Sequence, residues 1–195
     1  MGFGGSLKSS PTTDDKQMMV KIFLRIAGPF LALLTLAGCG SGGFSANGVL
    51  ESHPVPLDGE QVVLDQGQVD CGAREDLWTI TSLGGEGRAL GRLTSKGRDL
   101  HFSDDVQIGD PAVGAPYVQI HGAFPVKVLR VSSVRDEDAF TKLAEVKLAV
   151  KIGHSCFQND PPVLMGIRHG QFDPSASPLF RLKLDGEWMV DQIVH

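Results

Sequence analysis

Leu179-Phe-Arg-Leu-Lys-Leu-Asp-Gly-Glu-Trp-Met-Val-Asp-Gln-Ile-Val194 alternates apolar and polar residues on either side of Asp185-Gly186. Period-two alternation sends successive side chains to opposite faces of a strand, and Asp-Gly between two such runs signals a two-residue hairpin turn. The pattern predicts that Phe180, Leu182 and Leu184 share one face of the first arm, with Trp188 and Val190 together on the second.

Upstream, Glu145-Val-Lys-Leu-Ala-Val-Lys-Ile152 sets Val146, Leu148, Val150 and Ile152 on one side and both lysines on the other, the pattern of a half-buried strand. Between Ser132/Ser133 and Ala144, Asp136-Glu-Asp-Ala-Phe-Thr-Lys-Leu reads as a short capped helix with acids in its first turn. On that reading the acidic triplet caps a helix and is not a cation site. Further strands are expected over 77–83, 100–108, 117–131 with a break at Pro125, and 163–169. Segments 109–116, 159–162 and 173–178 are loops by composition. About seven short strands and one short helix predict a single α+β domain, mostly antiparallel sheet.

The composition agrees. With 24 Gly and 11 Pro in 195 residues, a long helical bundle or coiled coil is disfavoured. The balance of 18 Lys+Arg against 23 Asp+Glu argues against a protein that holds nucleic acid by neutralising phosphates.

Charge and apolarity separate at the N-terminus. From Met18 or Met19 a basic head with Lys21 and Arg25 precedes an apolar run, Ile26–Ala37, and then small residues, the layout of a secretory signal. The run has 12 residues and contains Pro29, against roughly 20 apolar residues for a membrane-spanning helix. Its end, Leu36-Ala37-Gly38-Cys39, resembles the lipobox of bacterial lipoproteins, in which a signal peptidase cuts before the cysteine and that cysteine is lipidated. The resemblance implies a diacylglyceryl thioether on Cys39, usually with a third, amide-linked chain, and hence a membrane partner. Each buried methylene contributes about 0.8 kcal/mol, so two or three acyl chains anchor where one does not. In Gram-negative members an Asp after the cysteine favours inner-membrane retention; Gly40 here implies the outer membrane, facing the periplasm. The chain then divides into an upstream extension (1–17) from a start codon placed too early, a signal peptide (18–38), a lipidated N-terminus and flexible linker (39–48), and a globular β-rich domain (49–195). Cleavage leaves 157 residues with 14 Lys+Arg and 21 Asp+Glu, the size of one domain with a core.

Export would place the two remaining cysteines, Cys71 and Cys156, in an oxidising compartment, where one intramolecular disulfide is possible. The alternatives are a thiol nucleophile or a metal-ligand pair with His154, but there is no C-x-x-C, and His-Ser-Cys is not a recurrent zinc spacing.

Two shorter stretches resemble other families. Leu93-Thr-Ser-Lys-Gly-Arg-Asp-Leu100 is similar to the wing strand of winged-helix domains, a likeness of shape only. Asp185-Gly186-Glu-Trp188-x-Val190-x-x-Ile193 is similar to the closing hairpin of cystatin-like and nuclear-transport-factor-like cone domains, which implies a Trp closing a sheet.

Catalytic motifs are thin. Gly153-His-Ser155-Cys-Phe157 begins like a nucleophile elbow but lacks the final Gly. Gly84-Gly-Glu-Gly87-Arg-Ala-Leu-Gly91 imitates a dinucleotide loop without a βαβ unit and reads as a hairpin connection. Asp104-Asp105 fits a turn. Of six histidines (His53, His101, His121, His154, His169, His195) none is paired at metal spacing, though a fold that brought His121, His154 and His169 together would make a site. These readings predict no catalytic residues, no metal, no cofactor and no nucleic-acid partner. They leave a non-catalytic envelope lipoprotein that binds a protein or a small ligand, with an assembly component or a hydrolase of unrecognised site as alternatives.

Overall fold

Trp78 opens the strand that the sequence sets at 77–83, and its indole is the largest fully buried side chain of the domain. In this computed structural model, which describes residues 44–83 and 87–195, the ring lies against a helix, α2 (Gln66–Arg74). A Cβ on Gly72 would stand 2.0 Å from the Trp78 ring, so only glycine lets helix and indole meet. The indole Nε1–H donates to the Val69 carbonyl at 3.0 Å, satisfying the one polar atom of a buried Trp. A capping box starts the helix: Asp65 Oδ1 accepts from the Gln68 amide at 2.7 Å, and Gln68 Oε1 accepts from the Asp65 amide at 2.9 Å. The sequence elements of the preceding section contain no helix here, because Gly67 and Gly72 look like breakers.

The remaining described elements are α1 (Ala46–Ser52), β1 (Val55–Pro56), β2 (Gln61–Val63), β3 (Trp78–Ser82), β4 (Ala89–Leu93), α3 (Ser95–Asp99), β5 (Val106–Ile108), β6 (Tyr117–Gln119), β7 (Ala123–Phe124), β8 (Val126–Asp136), β9 (Thr141–Val150), a 3₁₀ turn (Ser155–Phe157), β10 (Val163–Leu164), β11 (Gly166–Arg168), β12 (Gln171–Asp173), β13 (Leu179–Asp185) and β14 (Glu187–Val194). Among the described residues ten strands form one antiparallel sheet in the order β14-β13-β9-β10-β2-β6-β5-β4-β3, with β8 on β9; β1–β7 and β11–β12 are separate pairs. The fold is α+β and mostly antiparallel sheet. Strand β9 is its hub. β8 pairs along β9 from Val150 to Lys142, so β13, paired at residues 141–145, and β10, paired at Ala149, share the other edge. Val146, Leu148 and Val150 are each 0% exposed, and the two lysines are not buried, the sorting read from 145–152.

The helix expected from Ser132/Ser133 to Ala144 is instead the β8–β9 hairpin. The acids that suggested a cap hold its tip. Asp136 is ion-paired to Lys142, Glu137 receives both the Nε–H and an Nη–H of Arg181 at 2.9 and 3.0 Å, and Asp138 Oδ1 accepts from the Phe140 amide at 2.7 Å. An Asx turn uses the same side-chain chemistry as an N-cap, and nine cross-strand residue pairs outweigh local helix capping here. The break at Pro125 lies where the sequence puts it, between β7 and β8.

The closing hairpin forms, but Gly186 (φ +76°) stands alone at its tip between paired Asp185 and Glu187, in place of a two-residue turn. Asp191 is an extra residue: Arg181 pairs with Gln192 and Leu182 with Val190. That bulge brings Trp188, Val190 and Ile193 onto the face of Phe180, Leu182 and Leu184, which accounts for the x-x before Ile193.

Leu93-to-Leu100 is not a wing strand. β4 stops at Leu93, and Thr94, whose hydroxyl accepts from the Gly97 amide at 3.3 Å, caps α3. At the start of the described chain, α1 begins inside the stretch read as linker. Ser45 caps it, Ala46 and Leu50 are buried, and Phe44 packs edge-on against Trp188 at 4.8 Å. Among the described residues no helix is long and apolar enough to cross a membrane.

Gly72→Ala therefore forces a methyl group into the Trp78 ring. We expect a loss of at least about 2 kcal/mol in unfolding free energy, measured by urea titration of Trp fluorescence, while Gly153→Ala, which meets nothing within 4 Å, should change it little.

Candidate functional site

Strand β8 reads Val126-Lys-Val-Leu-Arg-Val-Ser-Ser-Val-Arg-Asp136, with Val128, Val131 and Val134 three apart. A regular strand would scatter them over both faces. Two irregularities in register, between Val128 and Arg130 and between Val131 and Ser133, correct this: the valines fall opposite Leu148, Val146 and Ala144, with Val128 and Val131 packed partly buried against the core and Val134 exposed. By the same register Arg130 stands opposite Lys147, Ser133 opposite Glu145 and Arg135 opposite Leu143, on the outer face.

The β11–β12 hairpin and the loop after it complete a groove on that face. Gly166 makes the approach possible, since a Cβ there would stand 2.7 Å from the Ser177 carbonyl carbon and 2.9 Å from Ala176. The resulting cavity of about 620 Å³ is lined by Arg130, Ser132, Ser133, Arg135, Glu145, Arg168, Ser175 and Ser177, with Ile167, Ala176 and Leu179 as its apolar contacts. Arg168 Nε lies 3.3 Å from Asp173 Oδ2. The Asp173 carboxyl is held below its ordinary range, first by the Ser175 hydroxyl and amide, which donate to Oδ1 at 2.6 and 2.7 Å, and then by Arg168. Among the described residues neither Arg130 nor Arg135 has a carboxylate within ion-pair distance. Three arginines thus line one open groove of an acidic chain, with Arg168 shared between it and Asp173.

A second polar locus is smaller. Glu60 is 4% exposed; its Oε1 lies 2.9 Å from His195 Nε2, and its Oε2 is buried without a hydrogen-bond partner. Burial raises its pKa, against the opposing charge and hydrogen bond of His195. Asp58 and Asp191 share the 260 Å³ cavity with this pair, but Asp58 Oδ1 is taken by the Gly122 amide at 2.6 Å.

The residues singled out in the sequence fall as follows. Cys39, and the 1–38 segment before it, lie outside the described residues. Cys71 and Cys156 form a disulfide with 5.6 Å between their Cα atoms, so neither is a free thiol or metal ligand. The bond closes an 85-residue separation, worth about 4 kcal/mol in the chain-entropy treatment. Gly153–Phe157 is a 3₁₀ turn, not an elbow: His154 Nδ1 accepts from the Cys156 amide at 3.3 Å and caps it. His121 stacks edge-on to His101 at 5.3 Å, and His169, with φ +53°, turns the chain between β11 and β12. These three histidines sit on separate elements, and no group of three or more His, Cys, Asp or Glu among the described residues is placed to hold a metal. Asp105 Oδ1 accepts from the Leu93 amide at 2.9 Å, tying the end of β4 to the segment before β5. Of Gly84–Gly91, residues 84–86 lie outside the described set; the rest joins β3 to β4 as a hairpin.

Sequence reading missed the arginine groove. Its one legible signal is the three-residue spacing of Val128, Val131 and Val134, which betrays bulges only once the segment is known to be a strand. Compared with models of known families, with curated proteins and with solved structures, the chain has no significant match.

Because the folded pKa of Glu60 exceeds its unfolded value, the folded state holds this proton more tightly, and stability is lost as pH rises from the ordinary carboxylate range through the raised folded value. Glu60→Gln keeps the neutral shape. Unfolding midpoints measured from pH 4 to 8 should show that decline weakened in the variant, which gains about 1 kcal/mol at pH 7. A steeper decline in the variant would contradict this.

Proposed function

We propose that this chain is a membrane-anchored bacterial envelope lipoprotein whose sheet domain is a non-catalytic binding module. The binding half rests on one observation, the convergence of Arg130, Arg135 and Arg168 with four serines in a groove about 620 Å³ in volume. That size lies in the range of small-molecule sites, and the guanidinium groups of Arg130 and Arg135, which have no carboxylate partner among the described residues, are donors waiting for an anionic acceptor.

The anchoring half rests on the order of basic head, apolar run and Leu36-Ala37-Gly38-Cys39. The Cys71–Cys156 disulfide supports it independently, since such bonds persist in oxidising compartments such as the periplasm. Phe44 and α1 lie directly after the stretch that would leave the membrane, so a tether of only a few residues, Gly40 to Gly43, would separate lipid from fold. With Gly40 after the lipidated cysteine, the outer membrane facing the periplasm is the destination in a Gram-negative host.

Radiolabelled palmitate given to cells expressing the full chain should label it and bring it down with membranes, and Cys39→Ser should lose both. A chain that stays unlabelled, or a variant labelled as strongly as the parent, would contradict the anchor.

A further inference from the structure

We propose that the arginine–serine groove on the outer face of β8–β9 binds a phosphate monoester carried on a hydroxylated body, such as a sugar phosphate or the head of a phosphorylated lipid. The inference deepens the binding-module reading and rests on it.

The donor count decides against a carboxylate. One guanidinium fork satisfies a carboxylate bidentately, whereas the groove offers Arg130, Arg135 and Arg168 together. A phosphate monoester presents three terminal oxygens and, above its second pKa near 6, close to two charges, which matches several forks at once. Arg168 is shared with Asp173, so the two arginines of β8 carry the larger part of the free positive charge. The register of β8 on β9 sets both on the outer face of the sheet, so their backbone positions are fixed before any ligand arrives.

The cavity is too roomy for a bare phosphate. At about 620 Å³ it leaves space for a body, and the groups left over suit hydroxyls. Ser177 offers a donor and acceptors, while Ser133 and Ser175, whose hydroxyls donate to Glu145 at 3.5 Å and to Asp173 at 2.6 Å, offer acceptors. Glu145, which would repel the phosphate, offers an acceptor that a sugar or glycerol hydroxyl fills. A fully anionic ligand would leave that carboxylate facing like charge; a phosphorylated polyol does not. The groove is open, so its attraction is partly screened by salt.

The experiment is titration calorimetry on the full chain carrying Cys39→Ser in detergent, with glucose 6-phosphate, glucose and inorganic phosphate as probes, beside sedimentation with vesicles containing phosphatidylinositol 4-phosphate. Variants are Arg130→Gln/Arg135→Gln, Arg168→Gln, and Arg98→Gln on α3 as the control outside the groove. Glucose 6-phosphate should bind more tightly than inorganic phosphate, glucose should give no heat, and the double variant should weaken binding at least tenfold with an unchanged melting curve. Arg168→Gln should weaken it less, and Arg98→Gln not at all. Binding should also tighten between pH 5.5 and 7.5 as the second phosphate proton leaves, because arginine stays charged throughout.

Groove-dependent binding of the soluble ester alone assigns a free phosphorylated solute, and groove-dependent binding of the vesicles alone assigns a lipid head group; either supports the proposal. Binding by neither probe, or binding that the double variant leaves unchanged, overturns it. The palmitate result is independent, so loss of the ligand leaves the anchor standing and the reverse.

Discussion

The seating of the Trp78 indole on Gly72 is the contact on which the α2 end of the domain depends, because it closes a ring of interactions around the chain. From α2 the Cys71–Cys156 disulfide reaches the 3₁₀ turn that follows β9. That turn inserts Phe157, whose ring meets Phe102 at 5.8 Å, and Phe102 meets Trp78 at 6.0 Å. The indole then returns to α2 through Gly72 and the Val69 carbonyl. A covalent bond on one side and three aromatic groups on the other fix a nine-residue helix of weak intrinsic propensity against the sheet. The disulfide thus does more than shorten the unfolded chain: it sets where Phe157 enters the core.

The rest of the sheet is organised from β9. Its core face is Val146, Leu148 and Val150, and its outer face is Glu145 and Lys147. Pairing with β8 extends both faces, and the two bulges of β8 keep valines on one and arginines on the other. Bulges also interrupt the edge that an eleven-residue outer strand would offer to another chain, and Glu51 of α1 takes the Val128 amide on that strand. Hydrophobic sorting and site construction are therefore a single event: the register that packs Val128 and Val131 against the core is the register that presents Arg130, Ser133 and Arg135.

Much of the sheet was legible because period two survives wherever one face is buried. The alternation at 145–152 and at 179–184 locates β9 and β13, and Asp185-Gly186 locates the tip between β13 and β14. The departures have specific causes. Asp136, Glu137 and Asp138 carry the side-chain chemistry of a helix cap and of a turn alike, so only pairing with β9 distinguishes them. Gly72 looks like a helix breaker until the indole it accommodates is in view. The bulges at β8 and at Asp191 break period two without leaving a turn residue as a marker. The groove was illegible for a further reason, since Arg168 and the serines at 175 and 177 join Arg130 and Arg135 only through the approach that Gly166 permits. Sequence separation hides such a site, whereas Cys71 and Cys156 could be paired on paper once Cys39 was read as the lipidated residue.

The three arginines and four serines are gathered on a groove of the outer sheet face. The most direct measurement is a map of arginine side-chain Nε–Hε resonances in the full chain as glucose 6-phosphate is added. Arg130, Arg135 and Arg168 should shift and saturate together while Arg74, Arg92, Arg98 and Arg181 stay in place. Small shifts spread evenly over all the arginines, or saturation at a different set, would contradict this.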